Sequence, residues 1–421
     1  MLKEKGGVLK SKHTQPQLVV FLIGTLVSFF SVASSEIENT LTQEKHTQTS
    51  VSLTEILASS VARGNTNVED IPSYQSSTWL AASPAVGLSY LSSQEDFGSD
   101  EAEVSVNLSI KSALQREIDQ KLVKINKDIR LQQSDLRKLY LSGLIRESLW
   151  SHKIAKANES YIQKKLSILK RLQENNEQLV LAGETSDYGL LLIKKETINT
   201  EIKALENQQV LQKWKIQYQA ITGQTITSMK KMPDIIEDKF ELSQTNISQH
   251  PKALFLTSNW QQQRLMTKAN TSDADPWTVS AIAKTIDTAG FKDNQLGLSF
   301  EIPLSFVEVN SQSLKNQSDQ SKAQFELEYR KNYLEINQQL NKHSVDRQFL
   351  IRKQNLLKRS LDLSKKIMKQ IEHLKAQNEM GQELVLRRVI DAIEIQNENA
   401  VISLLIQQNN SLLRQAVGIS L

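Results

Sequence analysis

This chain of 421 residues carries side chains able to do chemistry, but their spacing gathers none of them into a reactive set. The six histidines (His13, His46, His152, His250, His343, His373) are scattered and form neither an HExxH nor a His-x-x-x-His pair, so they read as solvated surface residues rather than metal ligands. Cysteine is absent, which excludes disulfides, thiolate ligands, a thiol nucleophile and a lipidated N-terminal cysteine. No glycine-rich phosphate loop and no nucleophile elbow occurs. The acids that stand out are Glu184 with Asp187, Glu379 with Glu383, and Glu301 alone in an alternating apolar run. Each is most simply a solvated carboxylate. Several copies arranged about an axis would turn each into a ring of negative charge able to bias ion passage. The expectation is no catalytic residue, no cofactor and no metal site.

The elements that hold these acids have a consistent character. Hydrophobic residues make up 39% of the chain, and glycine (14) and proline (7) are scarce, which favours long uninterrupted elements over a multi-span helical membrane protein. Residues 1–33 read as a signal peptide. Lys3, Lys5, Lys10 and Lys12 precede the apolar run from Leu18 to Phe30, and small residues follow from Ser31 to Ser35. An uncleaved anchor is the competing reading, although the run is short for a spanning helix, which needs about 20 apolar residues. Taking that segment's net +3 from the chain's +4 leaves +1, so no basic footprint for nucleic acid remains.

Residues 34–50 read as a disordered linker. The stretch 51–63 is a short amphipathic helix, with Ser52 as N-cap and Glu55 as its capping-box partner. The segment 84–110 then changes period to two. Val86, Leu88 and Tyr90 share one face; Val104, Val106, Leu108 and Ile110 share a face opposite Ser105, Asn107 and Ser109. Strict alternation is the strand signature, so 84–110 is a β-hairpin with its turn in Ser92–Asp100. From Lys111 to Ala182 apolar residues recur at helical spacing and the one glycine is Gly143. About 70 helical residues form a rod of roughly 105 Å. It breaks at Gly183–Ser186, and a return helix ends at Thr222-Gly223.

An irregular connecting segment, 224–248, leads to a second copy of the plan in 249–421. A helix follows Pro251 and runs to about Ala269. A hairpin, 277–304, has its turn around Asp287–Asn294; Leu296, Leu298, Phe300, Ile302 and Leu304 face one way, Gly297, Ser299 and Glu301 the other. A second rod runs without glycine or proline to Met380, breaks at Gly381, and returns over about 384–416. The chain is thus mainly α with two β-hairpins and an internal duplication of 51–223 in 249–421. The first copy is trimmed, with little room for a full helix between Gly64 and Trp79.

Strands that are apolar outside and polar inside are what a transmembrane barrel around water requires. In that reading Val104, Val106, Leu108, Leu296, Leu298, Phe300 and Ile302 face lipid, and Ser105, Asn107, Ser299 and Glu301 face a lumen. Four strands cannot close around a channel and an open edge in lipid is costly, so several chains must pool their strands. An ordinary soluble sheet with one buried face is the alternative. Trp79, Trp277, Tyr74 and Tyr90 suit an interfacial aromatic belt or simple packing beneath the sheet. The rods suit either an antiparallel coiled coil or a helical tube with a wet lumen.

With the duplication, the strand Leu296-Gly-Leu-Ser-Phe-Glu-Ile-Pro-Leu304, the turn Ala182-Gly-Glu-Thr-Ser186 and the helix ends Ile221-Thr-Gly223 and Ala416-Val-Gly418, the chain resembles the TolC-type outer-membrane efflux family over about residues 51–421. Trp79-Leu-Ala-Ala-Ser-Pro84 and Ile145-Arg-Glu-Ser-Leu-Trp150 look more like members paired with heavy-metal pumps. The resemblance implies a homotrimer: a trimeric α-helical barrel crossing the periplasm, topped by a shared β-barrel in the outer-membrane lipid. It also implies a passive efflux duct opened by a periplasmic adaptor protein and an inner-membrane pump of the RND type. Carried over by position, the tips meeting the adaptor are Gly183, Glu184, Thr185 and Ser186 with Met380, Gly381, Gln382 and Glu383. The first copy departs from the family in lacking most of its first helix, and Asn107-Leu-Ser-Ile110 stands where the family often has a proline. A periplasmic coiled-coil structural or adaptor protein on an uncleaved anchor is the alternative function.

Overall fold

A computed structural model describes residues 52–63, 77–95, 97–183, 186–224, 232–240, 246–270, 275–288, 290–303, 312–376 and 382–421, with backbone alone for 372–376 and 382–383. The expected signal peptide, the linker 34–50, Tyr74 and Leu304 lie outside the described residues. In chain order the elements are α1 (Leu53–Arg63), β1 (Ala85–Leu91), β2 (Ser99–Ile110), α2 (Ala113–Leu181), α3 (Asp187–Thr222), α4 (Pro251–Ala269), β3 (Trp277–Thr288), β4 (Phe291–Glu301), α5 (Gln312–Ala376) and α6 (Gln382–Ala416).

The order hairpin, long helix, return helix occurs twice. The two hairpins do not stay apart. They join through β2 and β3 into one antiparallel sheet of order β1-β2-β3-β4. Three boundaries differ from the sequence reading. β2 begins at Ser99, because a full-length partner, β3, pairs Ser99 with Thr288 and carries the short polar run Ser99–Glu103 into the ladder. The second turn is tighter than Asp287–Asn294. Asp287 and Lys292 are already paired, and Gly290 takes φ +104, which a residue with a Cβ rarely adopts. Ile302 stands just past the end of β4, not in it.

Below the sheet, α2 packs along α3 and α5 along α6, and α2 touches α6. The long helices therefore form an arc in the order α3-α2-α6-α5. The shorter α4 fills the space between α2 and α5 nearer the sheet. At 69 residues α2 extends about 104 Å. Its lone mid-helix glycine has a packing reason. A Cβ on Gly143 would lie 3.0 Å from Gln415 Nε2, which donates to Leu139 O at 2.7 Å.

The chain is buried most completely at mid-height. One apolar cluster joins Ile56 and Leu57 of α1, Ile145, Leu149 and Trp150 of α2, Tyr218 of α3 and Ile235. A second joins Phe240, Ile336 and Leu340 of α5 with Leu413 and Ala416 of α6. The irregular segment 232–240 belongs to both and acts as a belt. Lacking a ladder, its backbone is satisfied by side chains. Phe240 N donates to Asn410 Oδ1 at 2.8 Å, Asn410 Nδ2 donates to Asp238 O at 2.7 Å, and Arg347 Nη1 donates to Phe240 O at 3.2 Å.

At the belt's centre Arg146, 1% exposed, grips Glu237 through Nε at 3.1 Å and Nη2 at 2.6 Å. Its remaining nitrogen, Nη1, donates to Gln415 Oε1 and, at 2.9 Å, to Ile419 O. Arg414 Nε lies 3.3 Å from the same carboxylate. Burial pushes the Glu237 carboxyl up, but hydrogen bonds from Arg146 and Ser411 and the charges of Arg146 and Arg414 outweigh it and hold the pKa below its usual value. Breaking one side of such a pair costs about 3–5 kcal/mol, because the other charge is left buried. Arg146→Ala is expected to lose that much in urea unfolding, and Arg146→Met with Glu237→Leu to recover most of it. Additive losses in the double variant would refute the pairing as the source.

His250 caps α4, its Nδ1 accepting from Lys252 N at 3.1 Å just before Pro251. Burial, then the Lys252 charge, lower its pKa from 6.5 to about 4. The unfolded imidazole takes a proton more readily than the folded one, so this stability is present above pH 6.5 and is lost as pH falls toward 4. On the order of 1–2 kcal/mol should disappear by pH 5. His250→Asn retains a capping oxygen and should show a flatter melting temperature between pH 7 and 5; parallel curves would overturn the assignment.

Candidate functional site

The sheet sorts the strand residues onto two faces of opposite character, and the pairing register fixes which residues share each. On one face run the rows Val86–Val106–Ala281–Leu298 and Leu88–Val104–Ala283–Leu296, with Leu108–Val279–Phe300 nearer the helices. On the other run Ala85–Asn107–Ser280–Ser299, Gly87–Ser105–Ile282–Gly297 and Ser89–Glu103–Lys284–Gln295. The residues expected on the apolar and polar sides are thus brought together as two coherent surfaces. Glu301 joins the polar one, opposite Thr278. The apolar surface is uncovered within the chain: Leu296 is 90% exposed, Leu88 77% and Leu298 71%. From Ala102 to Ile110 it spans about 27 Å of strand, close to the apolar band of a tilted transmembrane barrel strand. Trp277 pairs with Ile110 at the helical end, and Tyr90 pairs with Ala102 at the other; both rings are exposed.

The polar face holds more charge than the sequence reading assigned. Lys284 Nζ lies 2.6 Å from Glu101 on the neighbouring strand, with Glu103 directly opposite Lys284. Glu101 and Lys284 were not singled out because Ser99–Glu103 resembles turn composition until its partner strand is known. Period-two spacing from Ser105 back through Glu103 to Glu101 was the available signal.

At the far end of the rods the chain reverses between α2 and α3. Gly183 takes φ +71 with nothing within 4 Å of a would-be Cβ, and its N–H donates to Val180 O at 3.0 Å. Ser186 precedes α3 in extended conformation. Leu181, Tyr188 and Leu191 stand exposed around this turn. Glu184, Thr185, Glu379, Met380 and Gly381 lie outside the described residues, and Gln382 and Glu383 open α6 with their backbone alone described. Part-way from belt to tip, Lys165 of α2 is buried and bonds Glu196 of α3 at 2.7 Å and Glu394 of α6 at 3.3 Å. Asn397 Nδ2 donates to Asn158 Oδ1 at 3.1 Å nearby. These polar contacts tie the two helical hairpins together, and sequence spacing alone did not reveal them.

Among the described residues no group of three or more His, Cys, Asp or Glu is placed to hold a metal ion, and no helix is long and apolar enough to cross a membrane. The latter says nothing of a β-barrel.

No protein-family model and no curated protein sequence matches the chain. Solved structures do match its fold. The CmeC outer-membrane channel of Campylobacter jejuni superposes with a TM-score of 0.58 at 13% identity, covering 80% of this chain and 76% of that one. The outer-membrane protein VceC of Vibrio cholerae gives 0.58 at 15% identity over 80% and 86%. The open MtrE outer-membrane channel of Neisseria gonorrhoeae gives 0.57 at 12% identity over 81% of each chain. The chain has the fold of these outer-membrane channels, the fold anticipated from its duplicated pattern.

If the apolar surface meets lipid, arginine on it is penalised. Leu298→Arg and Val106→Arg should each cost about 2–4 kcal/mol near the bilayer centre. Ser299→Arg, one residue along β4 and on the opposite face, should be tolerated. Folding titrations into lipid vesicles measure all three, and equal tolerance would refute a lipid-facing surface.

Proposed function

We propose that three copies of this chain form a passive exit duct of an efflux system, a barrel in the outer membrane continued by a helical tunnel through the periplasm. One observation carries the reading: a four-stranded sheet with an exposed apolar face and two outer edges, β1 and β4, that are unpaired among the described residues. In lipid, unpaired edges leave backbone groups without partners, so the sheet must close through other copies. Three such sheets supply twelve strands, within the even-numbered range of barrels of this kind.

The helical arc makes the same demand. Its outer members, α3 and α5, carry exposed apolar seams. On α3 the seam is Tyr188, Leu191, Ile198, Ile202 and Leu205; on α5 it is Val345, Phe349, Leu356, Leu363 and Ile367. Their spacing is that of coiled-coil seams, which want a partner helix. Bringing α3 of one copy against α5 of the next covers both seams and closes a tube.

The tips around Leu181–Ser186 and Met380–Glu383 are the surfaces that meet a periplasmic adaptor and, through it, an inner-membrane pump, most simply of the RND type. Docking opens the duct by separating the hairpins below the belt, where Lys165–Glu394 and Asn158–Asn397 hold α2 to α6. The chain carries no energy-transducing site in this reading; the pump supplies the free energy. Rings of Glu301 and of the tip acids bias which ions pass.

The decisive experiment is membrane fractionation of the expressed protein with unboiled and boiled gel electrophoresis. The expected result is an outer-membrane species of trimer size that becomes a monomer on boiling. A monomer in the soluble or inner-membrane fraction would refute the duct and favour a coiled-coil adaptor on an uncleaved anchor.

A further inference from the structure

Positive charge is concentrated on one stretch of α5. From Arg347 to Lys375 nine basic residues face two acidic ones, Asp362 and Glu372, a local +7 in a chain whose net charge is +4. Some of it has a use already. Arg347 bonds the belt, and Lys353 lies 3.7 Å from Glu398 of α6. Arg352, Arg359 and Lys366 border the seam of Leu356, Leu363 and Ile367, and the proposed pairing of that seam with α3 of the next copy would set them toward Glu201 and Glu206, which flank the α3 seam. Lys358, Lys365 and Lys369 do not border the seam. All three are exposed, and among the described residues none is in an ion pair.

Their side of the wall can be identified. The belt packs with α1 through Ile235, and with α5 through Leu340 and Arg347, which meet Phe240. Belt segments and α1 helices from every copy would obstruct a tube if they lay inside it, so they lie outside. Eighteen residues are five turns of helix. Lys358 is eighteen residues on from Leu340, and Lys365 eighteen on from Arg347. Both therefore continue the outer, belt-bearing side of α5 toward the tip, and Lys369 follows one turn later. With Asp362 they fall at heptad spacing, in a straight line of about 16 Å along the rod. The nearest acids of α6 are engaged, Glu398 by Lys353 and Glu394 by Lys165.

We propose that Lys358, Lys365 and Lys369 form a lateral docking stripe for a partner protein that lays an acidic, heptad-patterned helix along the outside of the tube. The inference rests on the exit-duct reading, since only a closed tube gives this wall an outside. A helix parallel to the rod presents carboxylates at the same axial spacing as the lysines, which a flexible polyanion does not. A nearby basic residue at the partner's matching position satisfies Asp362.

The test uses purified trimer in detergent at low salt, since exposed ion pairs are screened within about 10 Å at 0.1 M. The probe is a fluorescent designed helix bearing glutamates at heptad spacing, and its controls are the same helix with glutamines and soluble peptidoglycan fragments. The glutamate helix should bind and the glutamine helix should not. The triple variant Lys358→Gln, Lys365→Gln, Lys369→Gln should lose affinity tenfold or more. A control triple on α2, Lys121→Gln, Lys124→Gln, Lys127→Gln, should retain it. Equal affinity of wild type and the α5 triple, or equal loss in both triples, would overturn the stripe. Stripe-dependent binding of peptidoglycan fragments without the glutamate helix would overturn the partner assignment in favour of the cell wall. Absence of a wild-type trimer defeats the duct reading and this inference together; a trimer without stripe-dependent binding defeats this inference alone.

Discussion

Backbone hydrogen bonding at the sheet edges constrains everything else in the molecule. Four strands pair with one another, and among the described residues the outer sides of β1 and β4 have no partners. With an apolar face on the same sheet, water is the wrong solvent for the side chains and lipid is the wrong solvent for the edges. Closure through further copies, as proposed, would resolve both at once. The helices bear on the same closure. Each hairpin feeds a long helix, so the angular order of strands fixes the order of rods, and the outermost rods inherit the same need for a neighbour.

The belt answers a different problem. Long antiparallel rods held only by narrow apolar stripes are free to slide and splay along their length. Here sliding is opposed at one height by groups that tolerate little displacement: the two-pronged Arg146–Glu237 pair, the Asn410 clasp on Phe240 and Asp238, and the Trp150 indole donating to Ser411 Oγ at 2.8 Å. Charged and amide hydrogen bonds are directional, whereas apolar contact is not. A buried charged pair is a weak source of net stability. Its contribution here is register between α2, α6 and the segment that connects the two repeats.

Legibility in the sequence tracked the range of the interaction. Alternation in Val104–Ile110 and Leu296–Ile302 gave the strands and their faces, because side-chain direction in a strand is a local property. The scarcity of glycine and proline from Lys111 to Ala182 gave the rod. Matched breaks at Gly183 and near Gly381 gave the duplication. What stayed hidden depended on a distant partner. Ser99–Glu103 joins β2 only because β3 is long enough to receive it, and the charged start of β4 is a strand because Gly290 turns the chain earlier. Arg146 and Glu237 are 91 positions apart, and Lys165 bonds a glutamate 229 positions away; no periodicity links such pairs. The segment Ile145–Trp150 did stand out by its resemblance to a family stretch, but its role as the anchor of the belt depends on partners far along the chain.

The distribution of completeness along the molecule says how it must come together. At the belt, apolar clusters are closed and the buried arginine and its carboxylate are paired within a single chain. Toward the sheet and along α3 and α5, large apolar residues remain exposed. A lone chain therefore has its closed apolar clusters at mid-height and apolar surface left to cover on the sheet and the outer rods. The contacts of that region need no second molecule, and they hold the rod edges and strand edges in fixed relation. The proposed assembly would then be the covering of surfaces already held in register rather than the simultaneous folding of three chains. The same division bears on the proposed opening of the rod ends farthest from the sheet. Below the belt the hairpins are linked by the polar pairs Lys165–Glu394 and Asn158–Asn397, which water can replace, so parting them there would leave the belt's buried pairs and clusters intact.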